Sequence, residues 1–236
     1  QGFGSDGADA HPIIRAGEVN VMHITSTKTT LTGSLFVTGS RIELDDGKNN
    51  TSVGKAAGDA MTTGYNNVAI GVSAGSALTT PHSNVLIGKN AGQAHTTGVQ
   101  NVVIGAGALD QTGAGSDSSD SDNNVFIGYG AAGGAWANAK SEFNVGIGSF
   151  VMDSALDGAA QNVAIGHYAL SSITTSDGNV AVGANAAYAL TTGDKSIAIG
   201  GGAMNVHTTG ARNIAIGYEA MNDTDAGSNS LGSDDN

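Results

Sequence analysis

The sequence predicts an all-β fold, a parallel β-solenoid (β-roll) of about ten coils of about 17 residues each. The main observation is an Asn-Val-x-Ile-Gly-like segment that returns ten times, in most cases after 17 residues. The longer steps, of 23, 20 and 18 residues, lie in the middle of the chain, as expected when insertions are confined to turns. Glycine supplies 37 of the 236 residues, and at about 1 kcal/mol per Gly relative to Ala this composition disfavours helices.

The repeats divide the chain into four expected segments. Residues 1–17 are Gly- and Asp-rich and predict an extended connector, and residues 18–49 show short alternating patterns that predict a thin, interwound β segment. Residues 50–227 form the solenoid, and residues 228–236 read as a truncated coil and a tail. The repeats themselves start at Asn50, Asn67, Asn84, Asn101, Asn124, Asn144, Asn162, Asn179, Ser196 and Asn213.

Two β-branched columns are predicted to line the interior of the solenoid. They occupy the positions one and three residues after each start, so they share one face of a strand, and a Gly follows the second column each time. A β-branched residue followed by Gly indicates a strand that ends in a turn. The expected core residues are Val68, Ile70, Ile87, Ile104, Ile127, Ile147, Ile165, Val182, Ile199 and Ile216.

The position between these columns points to the opposite face of the strand and is also apolar, though mostly small. A strand that is apolar on both faces is normally covered on both sides, and a two-layer coil covers only one. We therefore expect identical chains to meet on this second face. The predicted oligomer interface is Ala69, Leu86, Val103, Phe126, Ala164, Ala181, Ala198 and Ala215.

Three further columns describe how a coil closes. An almost pure Ala column stands seven residues after each start, for example Ala74 and Ala91, which predicts a thin coil. Thr-Thr-Gly or a close relative then closes the coil, as at residues 62–64, with Gly reversing the chain and Thr hydroxyls bonding local backbone groups. The Asn starts are expected to form a ladder of side-chain hydrogen bonds.

Composition excludes several classes of partner. Nine basic and 21 acidic residues give a net charge of −12, which argues against binding to nucleic acid or to an anionic membrane surface. No stretch of the sequence approaches the ~18 apolar residues of a membrane span, so no membrane insertion is expected. Without Cys, the chain has neither disulfides nor thiolate metal sites.

The repeated columns resemble those of two families. Asn67 to Gly71, Asn162 to Gly166 and Asn213 to Gly217 look like the head repeats of trimeric autotransporter adhesins and, more closely, like solenoid stretches of bacteriophage tail fibres. The likeness covers roughly residues 31–232. It implies a left-handed parallel β-roll, a homotrimer and a role in surface attachment. The coils are longer than is usual in autotransporter heads, and no coiled-coil stalk or membrane anchor is visible, which favours the phage-fibre branch.

No constellation in the sequence predicts an enzyme or a cofactor. Gly-x-Gly strings lie at turns without the strand and helix that a dinucleotide site requires, and a glycan-cleaving fibre would need clustered carboxylates, which the sequence does not display. His95 and His207 occupy the same phase of the repeat and are expected to be exposed or in turns.

The two largest insertions supply the candidate binding residues. Asp117, Asp120 and Asp122 in the acidic insertion are a weak Ca²⁺ candidate, with a solvated loop as the alternative. Trp136, with Tyr129 nearby, is a candidate for stacking on a glycan, and a buried place in a subunit interface is the alternative. Asn138 and Lys140 complete the predicted receptor or glycan site.

From these features we expect a structural fibre protein of a virion, extracellular and used in host-cell attachment. Its expected partners are further copies of itself in a homotrimer, other fibre or baseplate proteins, and a glycan or protein receptor on the host surface. The alternative is a bacterial cell-surface trimeric adhesin or a subunit of an extracellular filament.

Overall fold

The computed structural model describes residues 47–111 and 120–222. The chain divides into two compact units, Gln1–Glu43 and Leu44–Asn236, and the described residues all belong to the second. The predicted connector, almost all of the thin β segment, the C-terminal tail and Asp117 lie outside the described residues.

The described chain contains ten short strands that form a single parallel sheet in sequence order. Each coil therefore adds one strand beside the last, which confirms an all-β parallel β-solenoid, of about nine turns. The strands are β1 (Thr51–Val53), β2 (Val68–Ile70), β3 (Val85–Ile87), β4 (Val102–Ile104), β5 (Val125–Ile127), β6 (Val145–Ile147), β7 (Val163–Ile165), β8 (Val180–Val182), β9 (Ile197–Ile199) and β10 (Ile214–Ile216).

The register keeps each column of the repeat in line. Val68 pairs with Val85, Ala69 with Leu86 and Ile70 with Ile87, and the same alignment continues across the coils that carry insertions. Backbone hydrogen bonds hold the strands in both directions: the N–H of Val163 donates to Asn179 O, and that of Gly166 donates to Ile147 O, each at 2.8 Å. Insertions therefore leave the sheet intact, because they are accommodated in turns.

The Asn starts form the predicted ladder, and it is fully buried. Asn50 Oδ1 accepts hydrogen bonds from the backbone N–H of Asn67 at 2.9 Å and from its side-chain amide at 3.0 Å. The pattern repeats along the chain to Asn179, whose Oδ1 accepts from the Ser196 N–H. Each amide also donates to a turn carbonyl, as Asn84 does to Gly98 O at 2.8 Å. The ladder thus satisfies buried polar groups that the sheet leaves unpaired.

The turn after each strand explains the invariant Gly within the repeat. At Gly128 the backbone has φ +145°, and a Cβ atom there would lie 2.2 Å from Gly148 O in the next coil. No side chain fits at that distance, and an L-residue would be strained at that φ. The Thr turns also behave as predicted, since Thr191 Oγ1 donates to Thr208 O at 2.8 Å.

The assignment of the two strand faces was wrong and is reversed in the structure. The middle residues predicted to form an oligomer interface are buried inside the single chain, from Ala69 and Ala164 at 0% exposed to Ala215 at 2%. The same holds for Leu86, Val103, Phe126, Ala181 and Ala198.

The columns predicted as solenoid core lie on the outside instead. Ile70, Ile147, Ile165, Ile199 and Ile216 are exposed, and Val68, Ile87, Ile104, Ile127 and Val182 are only half-buried. The reason is the thinness of the coil. Opposite each strand stands the buried Ala column, Ala74 to Ala203, which leaves room for small residues and not for two β-branched columns.

Larger interior residues occur where a neighbour makes room for them. Phe126 pairs across the sheet with Gly146, where a Cβ atom would lie 2.9 Å from the Phe126 ring. Trp136, from the second insertion, packs edge-on against Phe126 with ring centroids 5.9 Å apart. The insertions are thus matched by a local widening of the core around two aromatic rings.

Candidate functional site

The most extensive surface feature is an apolar strip on the outer face of the sheet. We call the first and third residues of the ten strands the Val–Ile face; every position in it is Val or Ile except Thr51. Nine inter-strand steps of ~4.8 Å and three residues at ~3.3 Å give it a projected area of about 400 Å². Ile165 is 40% exposed and Ile216 66%. A continuous apolar patch of this size without a charge is a candidate interaction surface.

A second feature is a row of aromatic rings along the turn that follows the strands. Tyr129 contacts Phe150 edge-on at 5.2 Å between centroids, and Phe150 stacks on Tyr168 at 5.3 Å. Tyr168 in turn contacts Tyr188 at 6.0 Å and His167 at 4.1 Å. We call these five residues the aromatic row. It crosses four successive coils, and Tyr129 at its first end is 61% exposed.

A depression of about 230 Å³ opens at the Tyr129 end of this row. Tyr129 and Phe150 line one part of it, and Asp110, Gln111 and Asp153 line another. Its remaining lining residues are Ala106, Gly107, Gly130 and Gly133. The site therefore combines two aromatic rings, two carboxyl groups and an amide over a floor that is almost free of side chains.

The repeat explains how the two carboxyl groups come together. Asp110 and Asp153 each stand nine residues after the start of their coil, and the coil between them has Gly133 at that position. A Cβ atom on Gly133 would lie 3.2 Å from Asp153 Oδ1. Gly133 thus lets the Asp153 carboxyl group lie close to the backbone of the coil between the two aspartates, which are two coils apart, or ~10 Å at the backbone.

The electrostatics of the depression differ from those of an ordinary surface. Burial raises the pKa of Asp110, and burial together with the charge of Asp110 raises the pKa of Asp153. The Gly133 backbone N–H donates to Asp153 and opposes part of that rise. Asp110 and Asp153 are thus two partly desolvated carboxyl groups, and none of the described lining residues is basic. Such a pair disfavours its own ionisation and is a signal of a functional site.

The predicted glycan residues do not form one site. Tyr129 lines the depression, whereas Trp136 is fully buried and its Nε1 donates to Ala132 O at 3.1 Å, so the prediction that Trp136 stacks on a glycan is wrong. Asn138 is exposed, but it does not line the depression. The Lys140 ammonium lies 3.7 Å from Asp122 Oδ2.

The acidic insertion shows no assembled metal site in its described part. Asp122 Oδ1 accepts a hydrogen bond from the Val99 N–H at 2.6 Å, and its other oxygen faces Lys140. Asp120 is half-buried. Across residues 47–111 and 120–222, no three His, Asp or Glu side chains gather in a group suited to a metal ion. The Ca²⁺ candidate stays a prediction that depends on Asp117.

The two histidines of equal phase are buried, contrary to expectation. His95 is fully enclosed in the same interior column as Leu78 and Leu190, and the Asn101 amide donates to His95 Nε2 at 3.2 Å. Burial lowers the pKa of His95 to about 4, against a smaller opposing effect of Asp122. Burial also lowers the pKa of His207. Both rings are therefore core residues that are held neutral.

Sequence reasoning missed Asp110, Asp153 and Phe150 as site residues. The sequence alone indicates no cluster of carboxylates. The signal was present in the repeat, since Asp110, Gly133 and Asp153 share one column. That column has to be followed across two insertions before the pattern becomes visible.

Comparison of the chain with protein-family models, with curated proteins and with solved structures finds no match in any of the three. Within the described residues, the structure also contains no helix with the length and apolar character that crossing a bilayer demands.

Proposed function

We propose that this chain is a structural, non-enzymatic fibre segment of a virion, in which three copies pack through their Val–Ile faces and present other surfaces for host attachment. The observation that carries the proposal is the Val–Ile face itself. It extends along all ten strands, it contains no charged residue, and a second copy of the same strip is its natural complement.

Identical copies fit this face better than an unrelated partner. The columns repeat at every coil, so two solenoids placed side by side bring the same residues into contact at every ~4.8 Å step. Burial of the exposed part of each Val and Ile contributes about 25 cal/mol per Å², summed over ten coils. The choice of three copies, the tail-fibre setting and the contact with other fibre or baseplate proteins follow from the resemblance to phage-fibre solenoids.

The alternative is a bacterial cell-surface adhesin or an extracellular filament built on the same trimer. Immunogold labelling with antibodies against residues 1–236 separates the two settings. We expect label on the tail fibres of virions, and label on the bacterial envelope in uninfected cells would favour the adhesin.

Assembly is tested by sedimentation equilibrium on the full chain. We expect three times the chain mass of 23.2 kDa. A monomer mass at micromolar concentration would contradict the proposal.

A further inference from the structure

We propose that the depression between Asp110, Tyr129, Phe150 and Asp153 is a saccharide-binding site, and that a longer glycan continues from it along the aromatic row. This inference rests on the proposed role in host attachment and assigns the class of ligand. The argument uses the chemistry of the lining residues, the shape of the floor and the direction of the row.

The lining residues match the two kinds of surface that a pyranose presents. Its axial C–H groups form an apolar face that packs on an aromatic ring, and Tyr129 and Phe150 meet edge-on at 5.2 Å at one wall. Its hydroxyl groups are hydrogen-bond donors, and Asp110 and Asp153 offer carboxylate acceptors, with the Gln111 amide as donor and acceptor.

The lining of the depression contains few side chains because glycines recur in register. Gly107 and Gly130 occupy the same position of successive coils, six residues after the start, and Gly133 lies between the two aspartates in their own column. A Cβ on Gly130 would lie 3.0 Å from the Phe150 ring, and a Cβ on Gly133 would lie 3.2 Å from Asp153 Oδ1. Glycine at these positions therefore lets the ring and the carboxyl group of the site pack close to the backbone.

A cation is a poorer ligand for this depression. Among the described residues, its lining supplies two carboxyl groups and the Gln111 amide, whereas Ca²⁺ takes six to eight oxygen ligands. An anionic sugar is also disfavoured, because no Lys, Arg or His is among the described residues that line the site. A neutral hexopyranose is the class of ligand that remains.

The aromatic row gives the site a direction. Beyond Phe150, Tyr168 and Tyr188 follow on successive coils, with ring centroids 5.3 Å and then 6.0 Å apart. An oligosaccharide laid parallel to the solenoid axis meets one ring after another. None of these residues belongs to the Val–Ile face, so the proposed contact between copies does not use them.

Saturation-transfer difference NMR on the full chain tests the proposal. The probes are methyl glycosides of glucose, galactose, mannose and N-acetylglucosamine and their disaccharides, with dissociation constants measured by titration calorimetry. We expect at least one neutral probe to bind, and a disaccharide to bind more tightly than its monosaccharide. Tyr129→Ala and Asp153→Asn should each weaken that binding at least five-fold.

The matched control is Tyr218→Ala, because Tyr218 occupies the same repeat position as Tyr129, is 80% exposed and does not line the depression. It should leave the dissociation constant unchanged. The proposal of a site that binds without turnover would be overturned by any of three results. These are no binding by any probe, binding by Tyr129→Ala and Asp153→Asn as tight as that of the unaltered chain, or cleavage of a bound disaccharide.

The outcome is separable from that of the proposed function. A trimeric chain found on tail fibres that binds no probe would refute the saccharide site alone. A chain that binds a probe through Tyr129 and is absent from both virions and the cell surface would refute the proposed function alone.

Discussion

The two faces of the same ten strands differ in a way that explains both the fold and its proposed assembly. The inner face carries one residue per strand, mostly Ala, and is sealed within the chain at 0–2% exposure over β2 to β10 apart from Gly146. The outer face carries two β-branched residues per strand and stays half-buried or exposed. The narrow interior selects for small residues at this position of most strands, and the two β-branched residues of each strand lie on the outside.

In a thin solenoid, the size of the side chains, and not their hydrophobicity alone, determines which face of each strand is buried. Both faces read as apolar in the sequence, and hydrophobic burial would favour placing Val and Ile inside. Close packing overrides that preference, because the strand must fit against the Ala column on the opposite wall. The consequence is that substitutions on neighbouring residues should have different effects.

The largest expected effect is that of Ala164→Lys. Ala164 is fully buried, with Gly146 and Ala181 beside it on the adjacent strands, so a Lys there buries an unpaired charge and overfills the coil. We expect a loss of more than about 4 kcal/mol in the free energy of unfolding. Circular dichroism during urea unfolding measures it. The control is Ile165→Lys, one residue away on the outer face, which should retain the folded β signal; equal loss in both variants would contradict the assignment of the faces.

A second large effect is expected at the inter-coil turn. Gly128→Ala places a Cβ atom 2.2 Å from Gly148 O at φ +145°, and we expect a cost of about 3 kcal/mol. Gly201→Ala is the control, because the nearest atom to its added Cβ lies 3.5 Å away in the Tyr218 ring. Thermal melting of both variants is the measurement. A Gly128→Ala protein as stable as Gly201→Ala would show that the coils are spaced more widely than described.

Acid should weaken the interior through His95. Its pKa is about 4 in the fold and 6.5 in the unfolded chain, so the unfolded state binds more protons between these values. Stability therefore falls as the pH drops from about 6.5 towards 4, by about 3 kcal/mol from this residue. His95→Leu, which matches Leu78 and Leu190 of the same column, should flatten the pH dependence. Urea unfolding at pH 4.5 and 7.5 tests this, and an unchanged difference between the two pH values would refute it.

The smallest effect concerns the residue before each start, where the backbone is left-handed. Lys195 has φ +56°, a conformation that costs a non-Gly residue about 1 kcal/mol. Lys195→Gly should raise the unfolding free energy by up to about 1 kcal/mol. Lys195→Ala keeps the strain and controls for loss of the side chain. A Gly variant less stable than the Ala variant would contradict this description of the turn.

Much of the fold was predictable because the spacing and residue types of the repeat determine it. The spacing of the Asn starts predicted the coils, the Asn ladder and the tolerance of turns to insertions, and each of these is confirmed. The orientation of the strand was not predictable from alternation alone, since Val163 and Ala164 are both apolar and period two allows either face to be inside. The Ala column was the available clue to a narrow interior.

The candidate site was harder to predict than the fold. Asp110 and Asp153 are 43 residues apart in sequence, and both line the depression, with Gly133 from the coil between them. Trp136 was also hard to place, because the sequence allowed either an exposed or a buried position, and the structure buries it against Phe126. Insertions lie outside the repeat, so their side chains have no column that indicates a direction.

The most direct test of the central claim is the mass of Ile165→Lys beside that of the unaltered chain, measured by sedimentation equilibrium at equal concentration. Ile165 lies in the middle of the Val–Ile face, 40% exposed, and a Lys there places a charge in the proposed contact between copies. We predict a trimer for the unaltered chain and a folded monomer for the variant. A variant that stays trimeric with the same dissociation constant would contradict the claim that the Val–Ile face joins the copies.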